Sequence, residues 1–572
     1  MEWAKLVALC LTLKLTAAAP SKRWNLPTVD LGYEIHQAAV YNEELKFYNF
    51  SNIPFAAPPL GELRFAAPQP PLKSTSSEPN TGAGIKICPQ AIPGNIEIAS
   101  AFGTDYIVEL FRGNGTANPD LIPINTTVAP FSYTPNPFET EDCLYLDVVV
   151  PEEIFNAGPS AKAPVLVQIY GGGYVFGDKA GLTGTTGRPE GLLERSGNKI
   201  IYVTMNYRLG AFGWSAGPTF QASGGTANVG LLDQRAAIEW VQKYISKFGG
   251  DPEMITLIGE SAGGGSIQHQ ITAYGGNKGP NPFQRAIPQS PGFLPIRSNN
   301  YTEQTFLDFL RYANVSSLEE LRALPTERLL AANAQQIYNT KIIGTFTYGP
   351  VVDGDFVPDL PGNLLAYGYF DKNVSILAGH NMREGYTFTS PFMQNDSAVI
   401  SQLKSIFPGA PLDVLLYVVT DLYPAIYDGS QPYRNWFERA ALMTTEFSFI
   451  CNDYYMTSAV PNQSYGYLFN IFPALHGEDV PYTYYYGYPP NATDFSEVQN
   501  ANAAYTLQDW ELSFAMGGAP TTTVPGSPNL PLYANNSQIG MLNGLLGSFQ
   551  ATLGPDNANN DRCRWWQKAL YA

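Results

Sequence analysis

The segment MITLIGESAGGGSIQHQITAY, residues 254–274, joins a short apolar run, a glycine-rich turn and a run that can form a helix. Ser261 lies at the turn, within the pattern G-x-S-x-G. Ala262 and the glycines at 263–265 leave room for close approach of the backbone. A strand that leads directly into a sharp turn and then a helix presents its serine at the end of the strand. The segment therefore predicts Ser261 as a nucleophile.

A second G-x-S-x-G match, GWSAG at residues 213–217, lacks this context. The nearest strand-like run ends near Asn206, well upstream of Ser215, and Pro218 follows directly after the match. The next residues, TFQASGG, are too short and too glycine-rich for a solid helix. We expect Ser215 to be a loop serine without a catalytic role.

Strand-like and helix-like runs alternate around these two matches. The strand-like runs are APVLVQIYGGG (163–173), KIIYVTMNYR (199–208), VSILAG (374–379) and YGYLFNIF (465–472). A helix is predicted in LLDQRAAIEWVQKYISKFGG, where Ala237, Val241, Tyr244 and Phe248 recur at helical spacing. Buried apolar strands that alternate with helices indicate an α/β fold with a mostly parallel sheet. Ligands of such sheets bind at the carboxyl ends of the strands.

A serine hydroxyl needs a base and an orienting acid, and in the strand–turn–helix arrangement the acid and then the base follow the serine. The four histidines are His36, His269, His380 and His476. His36 precedes Ser261, and His269 lies on the departing helix. For His476, Glu384 is available as the acid after an earlier strand. For His380, the acid would be Asp353 or Asp355. The strand before it favours His476, and His380 stays open as the alternative.

Backbone N–H groups are expected to stabilise the oxyanion of an acyl-transfer reaction. One comes from the residue after the nucleophile, here Ala262. Others come from a glycine-rich loop after an earlier strand, and YGGGY at residues 170–174 occupies that position.

The composition is typical of a globular protein and argues against two classes of partner. Hydrophobic residues make up 44% and charged residues 15% of the 572 residues, and the formal net charge is −17. Nucleic acids and anionic membranes are bound through basic patches, so this charge argues against both.

Residues 1–19 are expected to be a secretory signal peptide, because an apolar run precedes the small residues 17–19. The dibasic pair in SKR, residues 21–23, indicates a processing site that would start the mature chain at Trp24. No later apolar run is long enough to span a membrane, so no transmembrane anchor is expected. The sequence predicts a secreted, extracellular protein.

Sequons and cysteines agree with secretion. Ten N-x-[ST] sequons predict a glycosylated surface, at Asn49, Asn114, Asn125, Asn300, Asn314, Asn373, Asn395, Asn462, Asn491 and Asn535. Beyond Cys10, the cysteines are Cys88, Cys143, Cys451 and Cys563. Their spacing does not resemble a zinc site, so disulfides are predicted, with three pairings possible.

Further motifs extend over nearly the whole chain, and together they carry a family resemblance. They are IPFAAPPLGELRF (53–65), EDCLYLDVVVP (141–151), VQIYGGGYVFG (167–177), NYRLGAFG (206–213), ITLIGESAGG (255–264) and VVDGDFVPD (351–359). With these motifs the chain resembles the fungal type-B carboxylesterase/lipase family, the α/β-hydrolase group that also includes cholinesterases. The resemblance implies one α/β-hydrolase domain over residues 20–572, with a central mostly parallel sheet, flanking helices and long lid or pocket loops.

The resemblance also implies residue roles. Ser261, Glu384 and His476 would form the triad, and Gly172, Gly173 and Ala262 would supply the oxyanion N–H groups. The disulfides would be Cys88–Cys143 and Cys451–Cys563, and Ser290 would support the triad. The implied activity is hydrolysis of small-molecule or lipid carboxylic esters without a metal or organic cofactor. The alternatives are a narrow-substrate esterase or transacylase and a non-catalytic binding protein.

Three features depart from the family pattern or leave a choice open. The acid motif reads Met382-Arg383-Glu384-Gly385 where the family commonly has D-E-G. No tryptophan lies between Cys88 and Cys143, which argues against choline as the substrate. The 54 residues between these cysteines form either a lid that contacts a lipid interface or a fixed loop that shapes the acyl pocket.

Overall fold

Apolar runs rich in β-branched residues form the strands of one large sheet. The computed structural model describes residues 26–184, 187–295, 299–491, 494 and 497–572, so the expected signal peptide lies outside the described residues. Its strands are β1 Thr28–Asp30, β2 Ile35–Gln37, β3 Val40–Asn42, β4 Phe47–Pro54, β5 Tyr145–Pro151, β6 Ala163–Gln168, β7 Ile201–Met205, β8 Gly250–Glu260, β9 Arg285–Gln289, β10 Ser375–Asn381, β11 Ser464–Ile471, β12 Gln538–Leu545 and β13 Ser548–Pro555.

The sheet is parallel in its centre and antiparallel at both edges. Within the described residues, eleven strands follow the order β13-β12-β11-β10-β9-β8-β6-β7-β5-β4-β3, while β1 and β2 pair separately. Every neighbouring pair from β12 to β7 is parallel. The pairs β12–β13, β7–β5, β5–β4 and β4–β3 are antiparallel. The mostly parallel sheet predicted from the sequence is confirmed.

Helices cover the sheet and connect its strands. Their bounds are α1 Ile96–Arg112, α2 Glu152–Ala157, α3 Glu190–Arg195, α4 Gly210–Trp214, α5 Pro218–Ala222, α6 Val229–Tyr244, α7 Ala262–Ile271, α8 Asn299–Ala313, α9 Leu318–Ala323, α10 Thr326–Tyr338, α11 Pro361–Tyr367, α12 Asp396–Ile406, α13 Leu412–Tyr417, α14 Trp436–Thr445, α15 Cys451–Ala459, α16 Val480–Thr483, α17 Ala501–Gly517 and α18 Asp561–Gln567. Among the described residues, none of these helices has the length and apolar character needed to cross a membrane.

The central strands are buried on both faces. In β6, Val165 and Val167 belong to one hydrophobic core, and Leu166 between them belongs to a second. Successive side chains of a strand point to opposite faces, so one sheet separates the two cores. The expected helices on both faces of the sheet are therefore confirmed.

One strand near the site ends earlier than the sequence suggests, and one short helix is added. The strand predicted over residues 163–173 ends at Gln168, because Gly172 and Gly173 take positive φ values of 102° and 58° and turn the chain away from the sheet. The segment after Ser215 forms a short helix, Pro218–Ala222, where no solid helix was expected. Its proline at the first helical position favours this single turn.

Candidate active site

Ser261 lies at the sharp turn between β8 and α7. Its φ and ψ are 58° and −124°, a conformation that a residue with a side chain rarely adopts. The turn is held by hydrogen bonds from the Ser261 N–H to the Gln289 carbonyl (2.9 Å) and from the Gly292 N–H to the Ser261 carbonyl (2.8 Å). A Cβ on Gly263 would lie 2.1 Å from the Ile169 carbonyl oxygen, which explains why a glycine follows the serine so closely.

His476 lies in the loop after β11 and bridges a serine and a carboxylate. Its Nε2 is 2.8 Å from the Ser261 Oγ, and its Nδ1 is 2.5 Å from the Glu384 Oε2. A carboxylate at Nδ1 fixes the tautomer in which Nε2 accepts a proton. The structure thus brings together the three residues that the resemblance implied as a triad.

Glu384 is fully buried in a 3₁₀ turn, Glu384–Thr387, that follows β10. Its Oε1 accepts hydrogen bonds from the Ser290 Oγ (2.6 Å) and the Asn381 N–H (2.5 Å). Burial raises the pKa of Glu384, but His476 and these donors outweigh the burial and lower the pKa below its ordinary value. The side chain is therefore a carboxylate. Ser290 contacts the acid, as the resemblance implied.

Glu260 is a charged neighbour of the imidazole that the sequence reasoning did not single out. Its Oε1 is 3.2 Å from the His476 Nε2, and burial raises the pKa of Glu260 to about 8. For His476, burial lowers the pKa, but the carboxyl groups of Glu260 and Glu384 raise it above its ordinary value. The second residue of GESAG could have revealed this group, since it is adjacent to the serine in sequence.

The glycine-rich loop after β6 lies against the serine. A Cβ on Gly171 would be 3.0 Å from the Ser261 Cβ. Within the described part of the chain, the N–H groups of Gly172, Gly173 and Ala262 donate to no protein acceptor. Ala262 is the first residue of α7, where the helix has free N–H donors. These N–H groups are available to a negatively charged oxygen at Ser261.

The other candidate residues occupy structural positions. Ser215 is buried and donates a hydrogen bond from its Oγ to the Ala211 carbonyl (2.7 Å). The two ring nitrogens of His380 contact the Asp453 Oδ2 (2.9 Å) and the Asn557 Oδ1 (2.8 Å). Asp353 accepts hydrogen bonds from Asn228 and from backbone N–H groups. The structure therefore does not assemble the alternative pair of His380 with Asp353.

His36 and His269 also lie apart from the triad. His36 contacts Glu34 and the Ser51 carbonyl. His269 lies on α7 with its Nδ1 2.8 Å from the Gly265 carbonyl, and burial lowers its pKa to about 4. A neutral, buried imidazole of this kind is part of the helix packing.

Both disulfides implied by the resemblance are present, Cys88–Cys143 and Cys451–Cys563. Eight of the sequon asparagines are exposed: Asn114, Asn125, Asn300, Asn314, Asn373, Asn395, Asn462 and Asn535. Asn49, in β4, and Asn491 are half-buried.

The loop between Cys88 and Cys143 packs its helix directly on the acid-bearing turn. A Cβ on Gly103 of α1 would lie 2.2 Å from the Tyr386 carbonyl oxygen. The Tyr106 hydroxyl donates to the Glu438 Oε1 (2.7 Å), and the Trp436 indole donates to Asp120 in the same loop (2.8 Å). The loop thus forms a wall beside the triad.

Three phenylalanines line the space between the oxyanion loop and the imidazole. The Phe346 ring lies against Gly173, at 2.4 Å from where a Cβ would be. The ring centroids of Phe346 and Phe388 are 6.1 Å apart. Phe388 in turn contacts both Phe449 and the His476 ring. Phe449 is 4.4 Å from the imidazole. Sequence reasoning missed this aromatic wall because its members come from three distant segments.

Known proteins are similar to this chain in sequence and in fold. The model of the carboxylesterase family matches residues 36–546. The chain is 38% identical over 592 aligned residues to "Carboxylesterase patB" of Penicillium expansum, with 100% of each chain covered. It is 32% identical to "Lipase 1" of Geotrichum candidum over 515 residues, which covers 82% of this chain and 87% of the lipase. The crystal structure of Aspergillus niger EstA matches with a TM-score of 0.75 and 25% identity, and covers 95% of this chain and 98% of EstA.

These likenesses define the class of the protein, an α/β-hydrolase-fold enzyme that hydrolyses carboxylic esters. The breadth of the match then places it more closely, since the family model covers most of the chain. The chain belongs to the carboxylesterase family.

Proposed function

We propose that the protein is a secreted serine esterase that hydrolyses small carboxylic esters through an acyl-enzyme. The observation that carries the proposal is the hydrogen-bonded chain from the Ser261 Oγ to the His476 Nε2 (2.8 Å) and from the His476 Nδ1 to the Glu384 Oε2 (2.5 Å). A nucleophile, a base and an orienting acid in this order are the requirements for acyl transfer by a serine.

In the proposed reaction, Ser261 attacks the ester carbonyl while His476 takes the hydroxyl proton. Glu384 orients the imidazole and stabilises its charged form. The N–H groups of Gly172, Gly173 and Ala262 stabilise the oxyanion. His476 then donates the proton to the leaving alcohol. A water molecule, deprotonated by His476, hydrolyses the acyl-enzyme and regenerates Ser261.

The three phenylalanines beside the triad indicate that the substrate has an apolar group next to its ester carbonyl. An ester carbonyl held between Ser261 and the oxyanion N–H groups places one of its substituents toward Phe346 and Phe388. Both rings are half-buried, and Phe346 lies against Gly173 while Phe388 packs on the His476 ring. Burial of apolar surface contributes about 25 cal/mol per Å², so aliphatic or aromatic acyl groups are favoured over charged ones.

The packing of α1 favours the interpretation that the loop is a fixed wall of the pocket rather than a mobile lid. Gly103 allows α1 to touch the backbone of the acid-bearing turn, and the Tyr106 and Trp436 hydrogen bonds fasten the loop to α14. The rival function, an interfacial lipase, is favoured by the exposed side chains of Val108 and Phe111 on the outer face of α1. Turnover of a triglyceride should not rise further when its concentration passes the solubility limit. A steep rise at that limit would instead support the lipase.

Export from the cell is supported by the two disulfides and the eight exposed sequon asparagines. The expected signal peptide, residues 1–19, would direct it. Secreted protein that begins near Pro20 or at Trp24 on N-terminal sequencing would agree with the proposal. Peptide-N-glycosidase treatment should lower its apparent mass.

The catalytic proposal is tested with two serine variants that share the same pentapeptide pattern. Ser261→Ala should lower kcat by about 10⁶-fold and abolish labelling by a fluorophosphonate probe, because the nucleophile is lost. Ser215→Ala is the matched control and should keep kcat within about twofold, since the Ser215 Oγ donates to the Ala211 carbonyl and lies apart from the triad. Labelling that persists in Ser261→Ala would contradict the proposed nucleophile. A wild-type protein that no probe labels would favour a binding protein.

Ester and alcohol panels separate hydrolysis from acyl transfer. Release of free acid from p-nitrophenyl esters of two to eight carbons, at the same rate with or without added alcohol, is expected for an esterase. Formation of a new ester as the main product would instead identify a transacylase.

A further inference from the structure

A long helix behind the triad contacts several of the segments that carry or support it. We name residues 436–459 the back helix, because α14, a π-helical turn at Glu446–Ile450 and α15 follow one another without a break. The Thr445 Oγ1 accepts a hydrogen bond from the Gly385 N–H, next to the proposed acid (2.9 Å). The Asn452 side chain donates to the Pro291 carbonyl, next to Ser290 (2.9 Å). The back helix therefore contacts the residue after Glu384 and the residue after Ser290, which donates a hydrogen bond to Glu384.

The π-helical turn of the back helix supplies the ring that packs on the base. Phe449 lies in this turn, is buried, and has its ring centroid 4.4 Å from that of His476. Its ring also occupies the space next to Gly292, where a Cβ would be 2.6 Å away. A π-helical turn is rare and widens the helix, so it changes the directions of the side chains within and after it. The position of Phe449 thus depends on this turn.

Two adjacent residues near the C-terminus hold the two ends of the turn. Glu446, at its first position, is buried and accepts hydrogen bonds from the Arg562 Nε and Nη2, both at 2.7 Å. Cys451, directly after the turn, is joined to Cys563. The Glu446 carboxyl also accepts hydrogen bonds from Tyr423 and Asn560.

The ion pair is unusual enough to require an explanation. Burial lowers the pKa of Arg562, but the adjacent Glu446 side chain raises it above its ordinary value, so the guanidinium is charged. Glu446 is buried and the Arg562 side chain is 22% exposed, and an ion pair taken largely out of water often contributes little net stability compared with apolar residues of similar size. Its two-point geometry does, however, fix the direction of both side chains.

We propose that Arg562 is a positioning residue for the reaction, which acts through the π-helical turn. It holds Glu446 so that Phe449 stays against His476 and keeps the imidazole aligned between Ser261 and Glu384. The Cys451–Cys563 bond holds the other end of the same turn. This proposal rests on the triad proposed above.

The test compares two arginines of α18 in the full-length secreted protein. Arg562→Gln removes the two-point contact with Glu446. Arg564→Gln is the matched control, because Arg564 is exposed, pairs with Asp561 and Asn559, and interacts with the back helix at Tyr454, beyond the π-helical turn. Active sites are counted with a fluorophosphonate probe, and kcat and KM are measured on a soluble ester well below the melting temperature. Arg562→Gln should lower kcat per labelled site at least tenfold with KM nearly unchanged, since displacements of about 1 Å reduce rates by up to 100-fold. Arg564→Gln should leave both constants unchanged.

A double-mutant cycle separates positioning from folding and keeps the test decisive if Arg562→Gln is unstable. Arg562→Lys retains the charge but loses the two-point geometry, and Phe449→Leu removes the ring. If Arg562 acts through Phe449, the two substitutions together should lower kcat no more than Phe449→Leu alone. Full additivity, or a wild-type kcat per labelled site in both Arg562 variants, would overturn the proposal. Failure of the triad proposal would show differently, as a wild-type protein that the probe does not label.

Discussion

Glu384–His476 and Asp453–His380 are both carboxylate–histidine pairs, and each contains one residue from β10 or from the turn that follows it. In both, the histidine Nδ1 contacts the carboxylate, at 2.5 Å for His476 and 2.9 Å for His380. The pairs differ at Nε2, which faces the Ser261 Oγ in His476 and the Asn557 Oδ1 in His380. His380 lies within β10, whereas His476 lies in the loop beyond the end of β11.

This difference teaches that the group at Nε2 decides what a paired histidine can do. An amide oxygen only accepts hydrogen bonds, so the Nε2 of His380 must donate and cannot take up a proton. The neighbouring carboxyl groups do not distinguish the two histidines, since they outweigh burial and raise the pKa of both His380 and His476 to about 9. A hydroxyl can donate, so the Nε2 of His476 can be neutral and accept the serine proton. One pair is suited to holding the fold together and the other to proton transfer.

Replacing each histidine gives the largest expected contrast. His476→Ala should lower kcat by about 10⁶-fold, because the base is lost, as when single triad residues are removed in other serine hydrolases. His380→Ala should lower the melting temperature but retain kcat within about tenfold of wild type per labelled active site. Activity assays and thermal unfolding on the same preparations measure both. A fully inactive but folded His380→Ala would break the comparison.

Replacing each carboxylate with its amide gives the next largest contrast. Glu384→Gln should lower kcat by about 10⁴-fold with little change in stability, since an amide favours the wrong imidazole tautomer. Asp453→Asn leaves a buried histidine without its counter-charge and should cost about 3–5 kcal/mol of unfolding free energy. Chemical denaturation and single-turnover kinetics distinguish the two. A stability loss in Glu384→Gln as large as that in Asp453→Asn would mean that the two pairs are alike.

The smallest expected effect concerns the Glu260 carboxyl group, which lies beside the Nε2 of His476. The Glu260 carboxyl raises the pKa of His476, so Glu260→Gln should lower it. The base acts only when neutral, and a lower pKa keeps it neutral at more acidic pH. The acidic limb of the kcat/KM profile should therefore move to lower pH. Glu478→Gln, on the same loop as His476, is the control and should leave the limb in place. A shift of the limb to higher pH would contradict the assigned role of Glu260.

The parts of the site that depend on local sequence could be predicted. Ser261 and the glycines at 172–173 follow strands directly, so their positions at the carboxyl ends of β8 and β6 follow from the turn pattern alone. Elimination among four histidines, together with the preceding strand, favoured His476. Tertiary contacts could not be predicted in this way. Phe449 and Arg562 are far apart in sequence, and nothing in either segment indicates that they meet around one helical turn.

The fold was predictable for a similar reason. The apolar runs at β6, β7, β8, β10 and β11 are long enough to be buried on both faces, and this pattern predicts a parallel centre. The antiparallel edges were not predictable, and neither was the packing of α1 on the acid-bearing turn. The need for a glycine at position 103 arises from its contact with Tyr386, which is far away in the sequence.

The wide sequence separation of the triad has a consequence for biosynthesis. Ser261 and His476 are 215 positions apart, and Glu384 and His476 are 92 apart. They meet only after β8, β9, β10 and β11 have taken their places side by side in the sheet, and such long-range contacts are slow to form. A newly made chain is therefore chemically inert until its central sheet is complete. Labelling of Ser261 over time would thus count the folded molecules, and it would measure the rate of folding during export.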